Sequence, residues 1–409
     1  MSRTESKATM PVSYNDICAN RQLNEVVLMG SHDAAIANGG SNAKTQTKDI
    51  YKQAKAGARF FDLRIAAFKT STLGGKVELR SYHDATKIGS PTFRSNDQMK
   101  VADLNGAKRS GVKVHTTMFG VAGFGLQSML QQAMRFLTEN GSEFLIFKFD
   151  KSENWDLIVE VCRNELTANN GDFLFTTNGT GAERNLNVRQ LRELSGKLLI
   201  LFPESAFAGF AQPDALHRQG FLKWRNLYSK GSVSAKNYNP LFDGLQYYGK
   251  GGVSAGASGD SGKIASNTAI QTNLMQGQGS YKIAQDGWRG KVGMTDTGTQ
   301  TFSGDNGDAI GLMYWTTTGP SKSGIKKRND KMWQGTVDSG VRGDMVNVGL
   351  QRVDPTLRNL GVGSFGQALK RFMPNIIMVD FVDSAKGNTI KNMNFNSGAV
   401  IAQHLQAMG

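Results

Sequence analysis

Five histidines occur in the chain, His32, His83, His115, His217 and His404, and two of them have neighbours suited to chemistry. His32 stands in Gly30-Ser31-His32-Asp33, directly after an apolar run, and His83 stands in Tyr82-His83-Asp84, after another. Between them comes Asp62-Leu63-Arg64, and in a strand that spacing puts the carboxylate and the guanidinium on one side. Two imidazoles and a guanidinium meet the needs of phosphodiester cleavage by internal attack. One neutral histidine takes a proton from a substrate hydroxyl, and a protonated one delivers a proton to the departing oxygen, because both titrate near neutrality. Arginine adds a fixed charge whose forked donors match the equatorial oxygens of the phosphorus intermediate. Buried carboxylates beside the rings would fix tautomers and raise the histidine pKa values. Blander alternatives stand beside these readings: a histidine held structurally by hydrogen bonds, and an Asp62–Arg64 ion pair buried under a barrel floor. His115, His217 and His404 have no such neighbours and receive no role.

Such groups converge only if the right elements carry them. Residues 25–29 (EVVLM), 60–65 (FFDLRI), 77–82 (VELRSY), 144–149 (FLIFKF), 198–202 (LLILF), 309–315 (AIGLMYW) and 375–382 (NIIMVDFV) have strand length and composition. A helix is expected over 125–139, where Leu126, Met129, Leu130, Ala133, Met134 and Leu137 share a face and Gly141 follows as a stop. This βα rhythm predicts a parallel barrel or a doubly wound sheet, with His32 and His83 each at the C-terminal end of a parallel strand, where such enzymes place catalytic groups. The eighth strand is not placed. Residues 203–305 break the rhythm with Gly, Ser, Asn and Gln, and are expected to be a long insertion. Within it, 256–263 lacks the GxxxxGK[ST] spacing of a phosphate loop and reads as a surface loop. Residues 1–22 are expected to be an N-terminal extension, with the barrel over 23–409.

Composition sets the outer bounds. The 409 residues carry 48 Lys+Arg against 34 Asp+Glu, a formal charge of +14. With 39% apolar residues and 20% charged ones, the chain has material for a large core, which argues against disorder, collagen-like repeats or a coiled coil. Cys18 and Cys162 fall in no metal-ligand spacing, so neither a disulfide scaffold nor a structural zinc site is expected. The first residues lack an apolar signal-peptide segment, and no apolar run of about 18 residues occurs, so membrane contact is expected to be peripheral. The positive charge suits an anionic membrane surface, a phosphorylated substrate or nucleic acid, and selects none of them; no aromatic and basic nucleic-acid motif is visible.

The succession GSHDAA (30–35), AGARFFDLRI (56–65), RSYHDA (80–85), FLIFKFDKSE (144–153), GKLLILF (196–202) and PNIIMVDFVD (374–383) resembles the X-type barrel of phosphatidylinositol-specific phospholipases C, in order and over most of the chain. The resemblance implies a (β/α)8 TIM-barrel-like fold, distorted or incomplete, with the Gly-rich insertion. It implies His32 as general base on the inositol 2-hydroxyl, His83 as general acid toward the diacylglycerol oxygen, and Arg64 on the phosphate. Asp33 matches the position that assists near the leaving oxygen, Asp62 the carboxylate supporting the acid histidine, and Asp380, with Asp383 as the fallback, the carboxylate orienting His32. Lys148 and Asp150 are expected to bind substrate, and the products would be a cyclic inositol phosphate and diacylglycerol. Arg64 stands where calcium-dependent relatives carry an acidic residue, so no metal cofactor is expected; the alternative is Ca2+ held by Asp33, Asp62 and Asp150, since hard cations prefer oxygen ligands. The sequence also departs from the family. Tyr82-His83-Asp84 lacks the glycine usual after the second histidine, and Phe202-Pro203-Glu204 replaces basic residues after the fifth strand, which leaves the head group less determined than the reaction.

Trp224, Trp288, Trp315 and Trp333 are read as packed aromatics, with interfacial anchoring as the other option. Lys322, Lys326, Lys327, Arg328 and Lys331 form a basic cluster suited to an anionic-lipid surface, against the plainer reading of a solvated loop. Rival functions are a metal-dependent glycerophosphodiesterase on the same barrel and a non-catalytic barrel that binds anionic lipid.

Overall fold

The computed structural model describes residues 11–17, 19–38, 43–69, 75–84, 93–96, 98–115, 120–168, 172–177, 179–227, 238–251, 259–276, 309–317, 323–337, 375–392 and 394. Cys18, Trp288, Lys322 and His404 lie outside the described residues.

Eight parallel strands close into a barrel: β1 Leu28–Ser31, β2 Ala58–Leu63, β3 Leu145–Phe149, β4 Leu198–Pro203, β5 Phe221–Asn226, β6 Gly244–Lys250, β7 Ile310–Trp315 and β8 Ile376–Val379. Each pairs with its neighbours in chain order, and β8 returns to β1 with Leu28 opposite Ile376 and Ser31 opposite Val379. The barrel is therefore complete, an α/β (β/α)8 type of fold. Its strands are buried on both faces, which is why several read as continuous apolar runs. One set of side chains fills the interior, among them Leu28, Phe60, Ile146, Leu199, Leu222, Leu245, Ile310 and Ile376. Alternate residues pack outward against helices α1 Ile50–Lys55, α2 Leu126–Glu139 and α3 Trp155–Leu166. The helix expected over 125–139 is α2, and it buries Leu126, Met129, Leu130, Ala133 and Leu137, with Phe136 on the same face.

Three expectations are corrected. Residues 203–305 are not one insertion: β5, β6 and helix α4 (Gly259–Gln276) fall within them, and 259–263, read as loop, form the first turn of α4. The strands were missed because their sequences, FLKWRN and GLQYYGK, mix apolar with charged and amide residues. The strand at 77–82 exists, as Val77–Asp84, but outside the barrel. It runs antiparallel to Ile65–Lys69 and to Gly120–Gly125 in a seven-stranded side sheet that also contains Phe93–Asn96, Met99–Val101, Ala107–Arg109 and Val112–His115. Its alternation of buried Val77, Leu79 and Ser81 with half-exposed Glu78 and Arg80 marks a sheet with one solvated face. Third, the described part of the expected N-terminal extension, residues 11–17 and 19–22, packs into the fold. Val12, Tyr14 and Ile17 are buried, and Tyr14 Oη accepts from the Met29 amide at 3.1 Å.

The side sheet is docked onto the barrel mouth. The Tyr82 amide donates to Arg64 O at 3.0 Å, Tyr82 Oη to Lys151 O at 2.5 Å, and the Phe124 amide to Ala35 O at 3.1 Å. That approach requires Gly123, where a Cβ would lie 2.1 Å from Ala35 O.

Candidate active site

Side-chain alternation brings His32, Asp62, Arg64, Lys148 and Asp380 to the C-terminal end of the barrel interior, each two or four residues beyond an apolar interior position of its own strand. The barrel's floor is apolar and its mouth is ionic. The idea of an Asp62–Arg64 pair beneath the barrel is thereby overturned.

His32 follows the last residue of β1, and its amide donates to Val379 O at 3.1 Å. Its Nδ1 lies 2.9 Å from Asp380 Oδ1, and because an ionised carboxylate only accepts, Nδ1 carries the proton. The ring meets Tyr314 edge-on at 5.7 Å. On the other side His32 Nε2 stands 3.4 Å from Asp33 Oδ2, and His83 Nε2 stands 3.4 Å from the same oxygen. Arg64 Nη2 lies 3.3 Å from Asp33 Oδ1. Two imidazoles and a guanidinium thus surround one carboxylate.

His83 reaches this cluster from the side sheet, not from a barrel strand; the docking contacts through Tyr82 and Arg64 O bring it there. Asp62 takes a different partner from the one expected. Lys148 Nζ donates to Asp62 Oδ1 at 3.0 Å and lies 3.6 Å from Asp150, while the carboxylate facing His83 is Asp33. Of the two candidates on the last strand, Asp380 faces His32, whereas Asp383 pairs with Lys386 at 2.8 Å.

Three residues just past barrel strands, Asp33, Lys151 and Phe381, have left-handed backbone, with φ of 41°, 46° and 52°. For residues other than glycine this conformation is costly, and its clustering at one end of the barrel is typical of functional sites.

Charge is distributed unevenly. Burial opposes a charged His32, but Asp33 and Asp380 outweigh it and lift its pKa to about 9. Burial also lowers His83 below the ordinary histidine value, with Asp33 opposing the shift and Arg64 and His32 adding to it, which favours the neutral imidazole. Asp33 is buried, which favours the acid form, yet Arg64 and the two histidines hold it far below the ordinary carboxylate range. Burial raises Asp380. Lys148 is buried as well, but Asp62 and the surrounding oxygens keep it charged.

Hydrogen-bonding capacity is left over at the same place. Both Asp33 oxygens, Asp380 Oδ2, Arg64 Nε and His83 Nδ1 are buried without a hydrogen-bond partner. Buried polar groups are normally satisfied, so a group of orphans around one point reads as a receptor for a polar ligand. Beside Lys148 stands an aromatic cluster, in which Trp224 covers the ammonium at 4.3 Å, donates from Nε1 to Phe149 O at 2.7 Å and packs near Tyr247 at 5.8 Å. Tyr247 and Tyr314, side by side with these groups, carry no sequence motif and were missed.

His32, Asp33 and Asp62 bring possible ligand atoms within 4.8 Å of one another. Asp150, the third oxygen donor expected of a calcium site, faces Lys148 instead. Elsewhere, Trp315 is buried and Trp333 packs partly against the core. The basic cluster is split: Lys326, Lys327 and Lys331 are exposed on helix α5 (Ile325–Val337), but Arg328 is buried and bonds Thr317 and Asp260. His115 stacks on Phe68 at 4.8 Å and lies 5.2 Å from Tyr82 within the side sheet, and His217 Nδ1 bonds Phe221 O at 3.0 Å at the start of β5.

No protein-family model matches the chain, and no curated protein matches it. Solved structures do. Phosphatidylinositol-specific phospholipase C from Listeria monocytogenes is 14% identical, with 92% of this chain and 96% of that chain covered and a TM-score of 0.44. A variant of the enzyme of the same name from Staphylococcus aureus is 13% identical over 93% and 97%, with a TM-score of 0.41. A calcium-dependent phosphoinositol-specific phospholipase C from a Pseudomonas species is 12% identical over 59% and 80%, with a TM-score of 0.34.

Proposed function

We propose that the chain is a phosphodiesterase of phosphatidylinositol-type lipids that works by histidine acid–base catalysis and forms a cyclic inositol phosphate and diacylglycerol. The observation that carries this reading is the Asp33 carboxylate shared by His32, His83 and Arg64. In the proposed reaction His32 removes the proton of the 2-hydroxyl, whose oxygen attacks phosphorus as the bond to the glycerol oxygen breaks. His83 protonates the departing oxygen, and Arg64 neutralises the charge that builds on the phosphoryl oxygens.

The resting charges run the other way, with His32 protonated and His83 neutral. A phosphodiester anion beside Arg64 and His83 supplies the missing element, since an opposite charge at close range favours the imidazolium. Binding then shifts the pair's single proton from His32 toward His83, and Asp33 lies against both Nε2 atoms.

Metal independence belongs to the same proposal. The two carboxylates of the possible ligand group already have fixed cations as partners, Arg64 on Asp33 and Lys148 on Asp62, so a divalent ion between them would meet two permanent positive charges. The proposed partner is an anionic phospholipid surface, approached peripherally; among the described residues no helix is long and apolar enough to cross a membrane.

Phosphorus NMR of mixed lipid vesicles incubated with the protein tests the reading. A cyclic phosphodiester product from phosphatidylinositol, formed equally with calcium and with excess chelator, is the expected result. Release of a linear phosphomonoester, or activity that vanishes with chelator, would favour the glycerophosphodiesterase-type rival. Lipid binding without any product would favour the non-catalytic barrel.

A further inference from the structure

The His32–Asp380 contact joins residues 348 positions apart, just past the C-terminal ends of the paired strands β1 and β8. Something must fix one strand end against the other. One buried side-chain amide reaches both. Gln46 Nε2 donates to His32 O at 3.0 Å and to Val379 O at 3.2 Å, and Gln46 Oε1 accepts from the Val382 amide at 3.0 Å. Both N–H donors of that amide are used and its oxygen accepts one bond, and its orientation is fixed chemically: turned over, its oxygen would face two carbonyls and its NH2 an N–H. The preceding residue repeats the pattern. Thr45 Oγ1 donates to Asp33 O at 2.9 Å, and Thr45 O accepts from the Phe381 amide at 2.8 Å. These bonds land on or beside Asp33 and Phe381, the left-handed residues that flank the pair.

We propose that Gln46 is a positioning residue for catalysis: its side-chain amide clamps the backbone of His32 to the strand that carries Asp380, and so sets the approach of the imidazole to its carboxylate. The proposal rests on the reading of His32 as an acid–base group, but the contact it describes can be measured without substrate. Gln46 touches no reacting atom. Its influence runs through the His32 carbonyl and the carbonyl and amide on either side of Asp380.

The same bonding pattern at the opposite end of the barrel supplies a control. Asn375 Nδ2 donates to Asn24 O at 2.7 Å and Val26 O at 3.3 Å, and its Oδ1 accepts from the Gly311 amide at 3.0 Å. That amide also ties β8 to the chain around β1, far from His32.

The test compares Gln46→Met with Asn375→Leu by proton NMR of the unliganded protein, following the downfield Nδ1–H resonance of His32 bonded to Asp380, and by steady-state kinetics on phosphatidylinositol vesicles. Gln46→Met is expected to shift or broaden that resonance and to lower kcat roughly tenfold to a hundredfold, as small displacements of catalytic groups do, with KM within about twofold. Asn375→Leu is expected to lower thermal stability and leave the resonance in place. If Gln46→Met does not fold, Gln46→Glu replaces it, since it keeps the acceptor for Val382 and loses both donors. An unchanged resonance in the Gln46 variant, or equal shifts in both variants, overturns the proposal. A shifted resonance in a protein without activity on any phospholipid would overturn the functional reading and leave the clamp standing.

Discussion

The two ends of the barrel each bury a cluster of charges, and they treat it differently. Near the N-terminal end Arg59 donates from Nε to Glu143 at 2.9 Å, from Nη1 to Ala54 O and Ala58 O, and from Nη2 to Val12 O. Glu143 also accepts from Ser13 Oγ at 2.6 Å and the Tyr14 amide at 2.8 Å, and the guanidinium lies over the Tyr14 and Phe136 rings. Nearly every donor and acceptor there has a partner. At the C-terminal end Asp33 sits among two imidazoles and a guanidinium with neither oxygen hydrogen-bonded, and Asp380, Arg64 and His83 keep unmet atoms. A buried ionic cluster made for stability closes its own bonds. One made for binding leaves them to be closed by something else.

Substitutions can break this contrast. The largest effect on turnover is expected from His32→Ala or His83→Ala, a loss of roughly 10²–10⁴-fold in kcat on phosphatidylinositol vesicles with the circular dichroism spectrum unchanged. Wild-type turnover in either variant would reject the roles assigned to them. Arg64→Ala should follow with a loss of roughly 10²–10³-fold, and Arg64→Lys should restore only part of it, because an ammonium cannot reproduce the forked donors.

At the other end the currency is stability. Glu143→Ala leaves Arg59 buried without its counter-ion and should cost about 3–5 kcal/mol in urea denaturation, with activity per folded molecule retained. A smaller and pH-dependent effect belongs to His32. Its pKa is about 9 when folded against the ordinary histidine value of 6.5, so its contribution to stability is fully present below pH 6.5 and is lost as pH rises to about 9. Thermal unfolding between pH 6 and 10 should show this slope in the wild type and a flatter one in His32→Ala. The smallest expected effect is that of chelator, which should leave the rate unchanged if Arg64 and Lys148 fill the cation's role.

How much of this was legible in the sequence follows from which residues face what. β1, β2, β3, β4, β7 and β8 were found because burial on both faces demands apolar runs. β5 and β6 were hidden by their polar and charged residues: Lys223, Arg225 and Asn226, then Gln246 and Lys250, interrupt the apolar pattern. His32, Arg64 and His83 were singled out by type and by position on strands, Asp33 and Asp380 by the family resemblance, and the structure brings them together. The route of His83 was misread, since a strand end looks alike in a barrel and in a side sheet until its alternation is weighed. Pairings were harder to foresee. Nothing in the order of residues says that Asp62 belongs to Lys148, or that Gln46, a polar residue in a connecting segment, spans two strands.

The left-handed turn at Asp33 has one more effect. In a pleated chain, consecutive side chains diverge, and a histidine pointing into the barrel would send its neighbour outward among the helices. A single reversed dihedral cancels that divergence, so two adjacent residues converge on one point, 3.4 Å apart. An imidazole and its counter-charge are thereby encoded as a dipeptide, and lengthening the chain by one residue at that step would separate them.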